Sequence, residues 1–433
     1  MNRQLAQAVI TTFRDPDPVT NRKRLAHFGL RDWRHTLYWL DASGLALYFL
    51  VRLRSLFLQD AIPESVLSQL DERLADNKVS TTLMFREFVR LNVAFQEAGL
   101  TYLNLKGFTL VPDYCPAPAL RYQMDCDFLL AEAFRARCTD LLRGLGYTLT
   151  FADHRVMEFK AGMNRLPHIR DLYKPKPQRV VEIHVCGPCR PAGLGLDGHA
   201  MERRRVATLD GFSFPAPAAA DMFVAQAFHL LRHLQSEWTR VSWLLEFRNL
   251  VLKKQHDNPF WHEVEELASR TPDASLAIAV AIRLAAEGFG NFAPDALGSL
   301  VRNRVPDVVA LWIKRYAASI LLSDHPGTKL YLLLQGELNK NKQKPFTVRK
   351  RLLPLRPPAQ VIVAARGGPR QRLLGAAYQF RYVLFRLRFH VKEGARYLVE
   401  AWRWKRLLAR QSRPLPTSKK STPAESCSAT VEG

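Results

Sequence analysis

Two aspartates one residue apart inside an apolar run constrain this chain more than any other feature. The run, Met124-Asp-Cys-Asp-Phe-Leu-Leu130, has the length and apolar content of a buried strand, and a helix from Ala131 to Leu145, closed by Gly146, follows it. Strand side chains alternate between faces, so Asp125 and Asp127 point the same way. Like charges on one face raise each other's proton affinity unless a cation lies between them, and a hard divalent metal resolves that conflict.

Upstream, Leu103-Asn-Leu-Lys-Gly107 reads as a second short strand that breaks at a glycine before a weakly helical segment, Phe108 to Tyr114. Glycine at such a turn lets backbone N–H groups approach an anion closely. Lys106 and Arg121 add positive charge nearby, with a salt bridge to the aspartates as their alternative use. These ingredients suit a polyphosphate held beside a metal, as phosphoryl transfer requires.

Leu105-Lys106-Gly107, then Arg121 four residues before Asp125-x-Asp127, then Val180-Val-Glu-Ile-His-Val185, form an ordered set. The set resembles the minimal nucleotidyltransferase branch of the DNA polymerase beta-like superfamily. More narrowly, it resembles a bacterial nucleotidyltransferase family met beside surface-polysaccharide and peptide-modification genes. The likeness runs from about Gly99 to the helices near Leu250. It implies an NTP substrate and transfer of a nucleoside monophosphate to a hydroxyl or phosphate acceptor. It also implies two Mg²⁺ ions held by Asp125, Asp127 and Glu182, with Lys106, Arg121 and the Gly107 amide around the triphosphate. Glu182 departs from the family, where aspartate often stands, and serves as third ligand or base. The alternative for all three acids is a set of surface carboxylates on an exposed sheet face.

His184 shares the face of Glu182 and either orients a carboxylate, contacts substrate or is a satisfied core histidine. His229 and His233 lie four apart on a helix without the glutamate of a zinc-protease motif, so a structural or base-contacting role is expected. Trp238, Arg240, Trp243 and Glu246 fall where the resembled family carries an aromatic and charged helix pair facing the nucleotide. Cys186-Gly-Pro-Cys189 has the letters of a thioredoxin site, but the Arg190-Pro-Ala-Gly-Leu-Gly that follows cannot continue a helix, so a turn is expected. Within the same fold, abortive-infection toxin nucleotidyltransferases show a similar Lys-Gly turn and Arg-x-x-x-Asp-x-Asp, which would make the acceptor an RNA. A non-catalytic adaptor that binds nucleotide or lipid is the rival from another class.

At 433 residues with 47% hydrophobic content, the chain can form two or three domains with a substantial core. Short strands mixed with helices point to an α/β or α+β sheet, and the resemblance implies an α+β fold, a mixed nucleotidyltransferase-like sheet flanked by N- and C-terminal α-helical domains. Helices occupy 1–99, with Met84, Phe88, Leu91 and Phe95 as one stripe, Gly99 as a C-cap and Pro63 in a first turn. The core, 100–216, carries strands near Thr101–Leu105, Met124–Leu130, Tyr147–Phe151, Val156–Lys160 and Val180–Val185. A helical domain fills 217–340, a basic linker and amphipathic arm 341–410, and a disordered tail 411–433.

No apolar leader and no span of transmembrane length are evident, and six scattered cysteines fit free thiols, so a cytoplasmic protein is expected. The net charge of +23 is unevenly placed: beyond Asn341 about twenty Lys and Arg face four Glu. Arg372 to Leu408 interleaves those cations with aromatics. It reads as an interfacial helix on anionic lipid at the inner membrane face, as an RNA-binding surface, or as an exposed charged arm.

Overall fold

The computed structural model describes residues 1–162, 171–176, 178–187, 194–196, 199–236, 239–298, 305–323, 327–339, 348–352 and 369–411. The expected linker around 353–368 and the expected tail beyond 411 lie outside them, as do Trp238, Cys189 and Cys427.

The architecture is α+β. Five strands, β1 (Tyr102–Asn104), β2 (Cys126–Ala131), β3 (Thr148–Ala152), β4 (Val156–Ala161) and β5 (Arg179–Cys186), form one mixed sheet in the order β1-β2-β5-β4-β3. Only β2 and β5 run parallel; the other neighbours are antiparallel. All five coincide with the strands expected from the sequence to within two residues at each end. A separate hairpin, β6 (Arg205–Leu209) and β7 (Phe212–Ala216), was not anticipated. Its signal was present in Asp210-Gly211, whose φ values of 48° and 79° fit a tight two-residue hairpin turn.

Ahead of the sheet come α1 (Arg3–Arg14), α2 (Pro18–Ala26), α3 (Leu30–Ser43), α4 (Ala46–Ser55) and the long α5 (Glu64–Glu97). Pro63 is the N-cap of α5 rather than a first-turn residue, because its extended ψ of 135° precedes the helix. Gly99, at φ 58°, closes the far end, where the Leu100 N–H donates to the Phe95 carbonyl. Within the sheet region α6 (Arg135–Gly144) follows a 3₁₀ turn, so the helix expected from Ala131 starts four residues later. After the hairpin come α7 (Ala219–Leu234), α8 (Val241–Lys253), α9 (Asn258–Arg270), α10 (Ala274–Phe289), α11 (Asp307–Leu321), α12 (Tyr331–Leu338), α13 (Val348–Leu352) and α14 (Pro369–Gln411).

Two main cores result. Residues of α1 to α5 and of α7 to α12 share one, with Trp33, Phe49 and Leu70 alongside Phe223, Phe247, Ile278 and Trp312. The other lies under one face of the sheet, where Cys126, Phe128 and Leu130 of β2 and Val181, Ile183 and Val185 of β5 meet α5 and α6. Helix α5 serves both: Val66, Leu70 and Leu74 enter the helical core, and Phe88, Leu91 and Phe95 enter the sheet core. Its 34 residues make a rod about 51 Å long.

A buried amide pair fixes the junction of rod and sheet. Asn104 Nδ2 donates to Asn92 Oδ1 at 2.8 Å and to the Pro215 carbonyl at 2.9 Å, while the Tyr102 hydroxyl donates to Asn92 Oδ1 at 2.9 Å. Phe95 packs edge-on against Tyr102 and Phe128 at ring separations of 5.2 and 4.9 Å. Phe95→Ala removes a fully buried ring from this junction and should cost about 3–5 kcal/mol of stability in urea denaturation. A loss below about 1 kcal/mol would show that the junction is not the packed joint described here.

Candidate active site

The pairing of β2 with β5 builds the site. Their parallel register sets Asp127 beside Glu182 and Leu129 beside His184. Because alternate residues of both strands fill the sheet core, Asp127, Glu182 and His184 are driven to the opposite face. Farther along, Leu103, Leu105 and Leu129 pack with Leu194 and Leu196 and close that face, so it is polar only at one end. One ligand atom each from Asp127, Glu182 and His184 lie within 4.8 Å of one another. The space between the acids is therefore polar and not filled with hydrocarbon. Among the described residues, Asp125, His229 and His233 belong to no such group.

The Lys-Gly turn is fastened to the same strand. The Leu105 N–H donates to the Asp127 carbonyl at 3.0 Å, and Lys106 Nζ then meets Asp127 Oδ1 at 2.9 Å. Gly107 adopts φ 67°, and a Cβ on it would lie 1.8 Å from Gln123 Nε2, so no larger residue fits here without moving Gln123. The segment after it is a short 3₁₀ turn, Gly107–Leu110, in place of the weak helix expected to Tyr114.

Arg121 takes a different partner from Lys106. Its Nε lies 3.3 Å from the Glu246 carboxylate on α8, and the Tyr48 hydroxyl donates to Glu246 Oε1 at 2.7 Å. The expected alternative of a salt bridge to the aspartates is thus met by Lys106, whereas Arg121 pairs with the helical body. Arg121 nonetheless lines the cleft that opens over the acids, a space of about 530 Å³. Asp125 lies there too, immediately ahead of β2.

The far wall of the cleft comes from α7 and α8. His229 and His233 form a triangle of rings with Trp243, 4.4 to 4.7 Å apart. The Arg240 guanidinium sits 5.2 Å from the Tyr122 ring and 5.6 Å from the Trp243 ring. Arg232 completes the cationic lining. Sequence reasoning brought Arg240, Trp243 and Glu246 to this region but missed Arg232, Tyr122 and Gln123. Arg232 precedes His233 on the helix and could have been suspected from that position; nothing in the local sequence marks the other two.

Burial and neighbouring charge pull the two aspartates apart. Burial and the adjacent Asp127 push Asp125 up to about 7. Burial acts on Asp127 in the same direction, but Lys106 and His184 outweigh it and hold that carboxyl well below the usual range. Burial likewise works against a charged His184, and the carboxylates of Asp127 and Glu182 beside it still leave it above its ordinary value. His229 behaves oppositely: burial, then Lys106 and His233, drive it well below, so it is neutral. Burial raises the Cys186 thiol, which leaves that residue without the thiolate character a redox site needs.

The donor set fits a cation. His184 Nε2 is buried 3.1 Å from Glu182 Oε1 and 3.6 Å from Asp127 Oδ1 without the alignment of a hydrogen bond to either. Oxygen donors from Asp127 and Glu182, with Asp125 at the same mouth, suit a hard divalent ion. An imidazole at their edge is better placed to orient a carboxylate than to bind Mg²⁺ itself.

Residues 30–290 match the model of a family described as an uncharacterised nucleotidyltransferase, and the chain belongs to that family. The protein is accordingly a transferase of the nucleotidyltransferase class. The match is wider than the stretch from Gly99 to Leu250 on which the sequence likeness rested, and takes in α3 to α5 before the sheet and α9 and α10 after it. No curated protein matches the chain.

Two outcomes follow from this geometry. Glu246→Ala leaves the half-buried Arg121 guanidinium and the buried Tyr48 hydroxyl without their carboxylate and should destabilise the fold by about 2–4 kcal/mol in urea denaturation. Asp125 is raised in the folded state, so metal-free protein keeps this group's full contribution below about pH 4 and loses it as pH rises toward about 7. In Asp125→Asn that loss is absent, and the thermal midpoint of the variant should gain on the wild type between pH 5 and pH 8. A pH-independent difference between the two would mean that Asp125 ionises freely.

Proposed function

We propose that this protein is a Mg²⁺-dependent nucleotidyltransferase that moves a nucleoside monophosphate from an NTP to a hydroxyl or phosphate acceptor. We place the reaction in the cytoplasm, in a surface-polysaccharide or peptide-modification pathway. The observation that carries the reading is the convergence of Asp127, Glu182 and His184 at the floor of a cation-walled cleft, within the span that matches the family.

Asp125, Asp127 and Glu182 would hold the metal, two ions in the full complement, and Mg²⁺ would neutralise charge on the triphosphate and on the departing pyrophosphate. Glu182 carries one more methylene than the aspartate often found at this position, and His184 at 3.1 Å limits where its carboxylate can swing. Lys106, already beside Asp127, supplies a point charge to the phosphates, and the backbone at Gly107 can approach them without a side chain in the way. Arg121 is held by Glu246 and offers its remaining N–H groups to the same anion. Arg240, set against two aromatic rings, is placed to contact the nucleotide, and neutral His229 can accept or donate one hydrogen bond there.

The test is pyrophosphate release from Mg²⁺–NTP with hydroxyl and phosphate acceptors, RNA among them, comparing wild type with the Asp125→Ala/Asp127→Ala double variant. Release should vanish in the variant and on chelation of the metal, while circular dichroism remains that of the wild type. Equal release from both proteins sinks the assignment. Tight NTP binding in calorimetry with no turnover for any acceptor would instead mark a nucleotide-binding adaptor.

A further inference from the structure

Helix α14 turns two chemically different sides to its surroundings. Eleven Lys and Arg lie along Pro369–Gln411 against two Glu, and both Glu face the helical body. Glu393 is buried and accepts from the Thr328 hydroxyl at 2.7 Å, while Glu400 accepts from Arg315 and the Tyr316 hydroxyl at 3.2 and 3.1 Å. Trp404, 3% exposed, donates from Nε1 to Glu337 on α12 at 3.1 Å. The C-terminal half of the helix is thereby anchored.

The opposite side is apolar and open. Phe380, Leu384, Leu387, Val391, Leu398 and Trp402 are between 38% and 64% exposed. At roughly 100° per residue these six fall within an arc of about 60°, in steps of three, four and seven residues. Arg381, Arg388, Lys392, Arg406 and Arg410, all exposed, line up along one flank of that arc. Among the described residues nothing covers the seam, and exposed side chains this large are concentrated on α14 more than on any other helix.

We propose that α14 seats the protein on an anionic lipid surface, with the apolar seam in the acyl boundary and the flanking cations among the headgroups. A second copy of this chain is disfavoured as occupant, since no acidic residue faces outward from the helix to pair with the flanking arginines of its mate. Nucleic acid would satisfy the cations, but four of the six seam residues are Leu or Val, and Phe380 and Trp402 at its two ends leave bases no continuous row to stack on. Lipid satisfies both sides of the pattern at once. The helix lies on the membrane and does not cross it, for no described helix is long and apolar enough to span one.

Flotation of the full-length protein with phosphatidylcholine vesicles, with and without phosphatidylglycerol, tests this. Binding should require the anionic lipid, weaken with salt, and fall about tenfold or more in both Leu384→Glu/Val391→Glu and Arg381→Glu/Arg388→Glu. These residues are exposed, so the thermal midpoint should not change, and pyrophosphate release in the absence of lipid should equal that of wild type. Three results would each overturn the proposal: undiminished vesicle binding by both variants, no binding to anionic vesicles, or a wild-type dimer in sedimentation that Leu384→Glu/Val391→Glu dissolves.

Discussion

An ion pair made at the mouth of a parallel strand pair sets the terms for the candidate site. Asp127 is 7% exposed, and a carboxylate so far from water persists only if something positive stays with it. Lys106 does, because the Leu105 N–H ties the Lys-Gly turn to the Asp127 backbone and so brings the ammonium to the carboxylate of the same residue. Once Asp127 is compensated, Asp125 is the carboxyl that bears both burial and the repulsion of its neighbour, and its affinity for protons rises. Two acids of identical chemistry thus differ in their hold on a proton, because only Asp127 is in direct contact with the lysine.

The helical shell contributes side chains to the cleft as well as support. Arg121 comes from the loop ahead of β2, yet its carboxylate partner, Glu246, is on α8, and the hydroxyl that steadies Glu246 is Tyr48 on α4. Three segments separated by up to 198 positions in sequence therefore meet at one guanidinium. Trp243, also from α8, supplies a face for Arg240. A family match that begins at Leu30 and ends at Gly290 is what such interdependence predicts, since the strands alone cannot complete the pocket.

Much of this was legible in the sequence, and the reasons are local. Asp127, Glu182 and His184 lie in short apolar runs whose period of two fixes which side chains share a face, and the parallel register then aligned the two runs. The Lys-Gly turn was readable because few residues other than glycine reverse a chain there. What could not be read was partnership across the fold. Nothing in the neighbourhood of Arg121 indicates that it pairs with a glutamate 125 positions away, or that Tyr122 and Gln123 face the cleft. The β6–β7 hairpin is a different kind of omission, since its Asp-Gly turn was in view.

The dual membership of α5 carries a consequence for how the chain can be divided. Phe88, Leu91 and Phe95 roof the sheet, yet the helix that holds them is stapled at its other end into the helical body. A fragment starting at Leu100 would keep every acid of the pocket and lose the α5 side of the hydrocarbon on which the strands lie. In this protein the smallest piece able to hold the pocket's geometry must include a rod whose first turns never come near it.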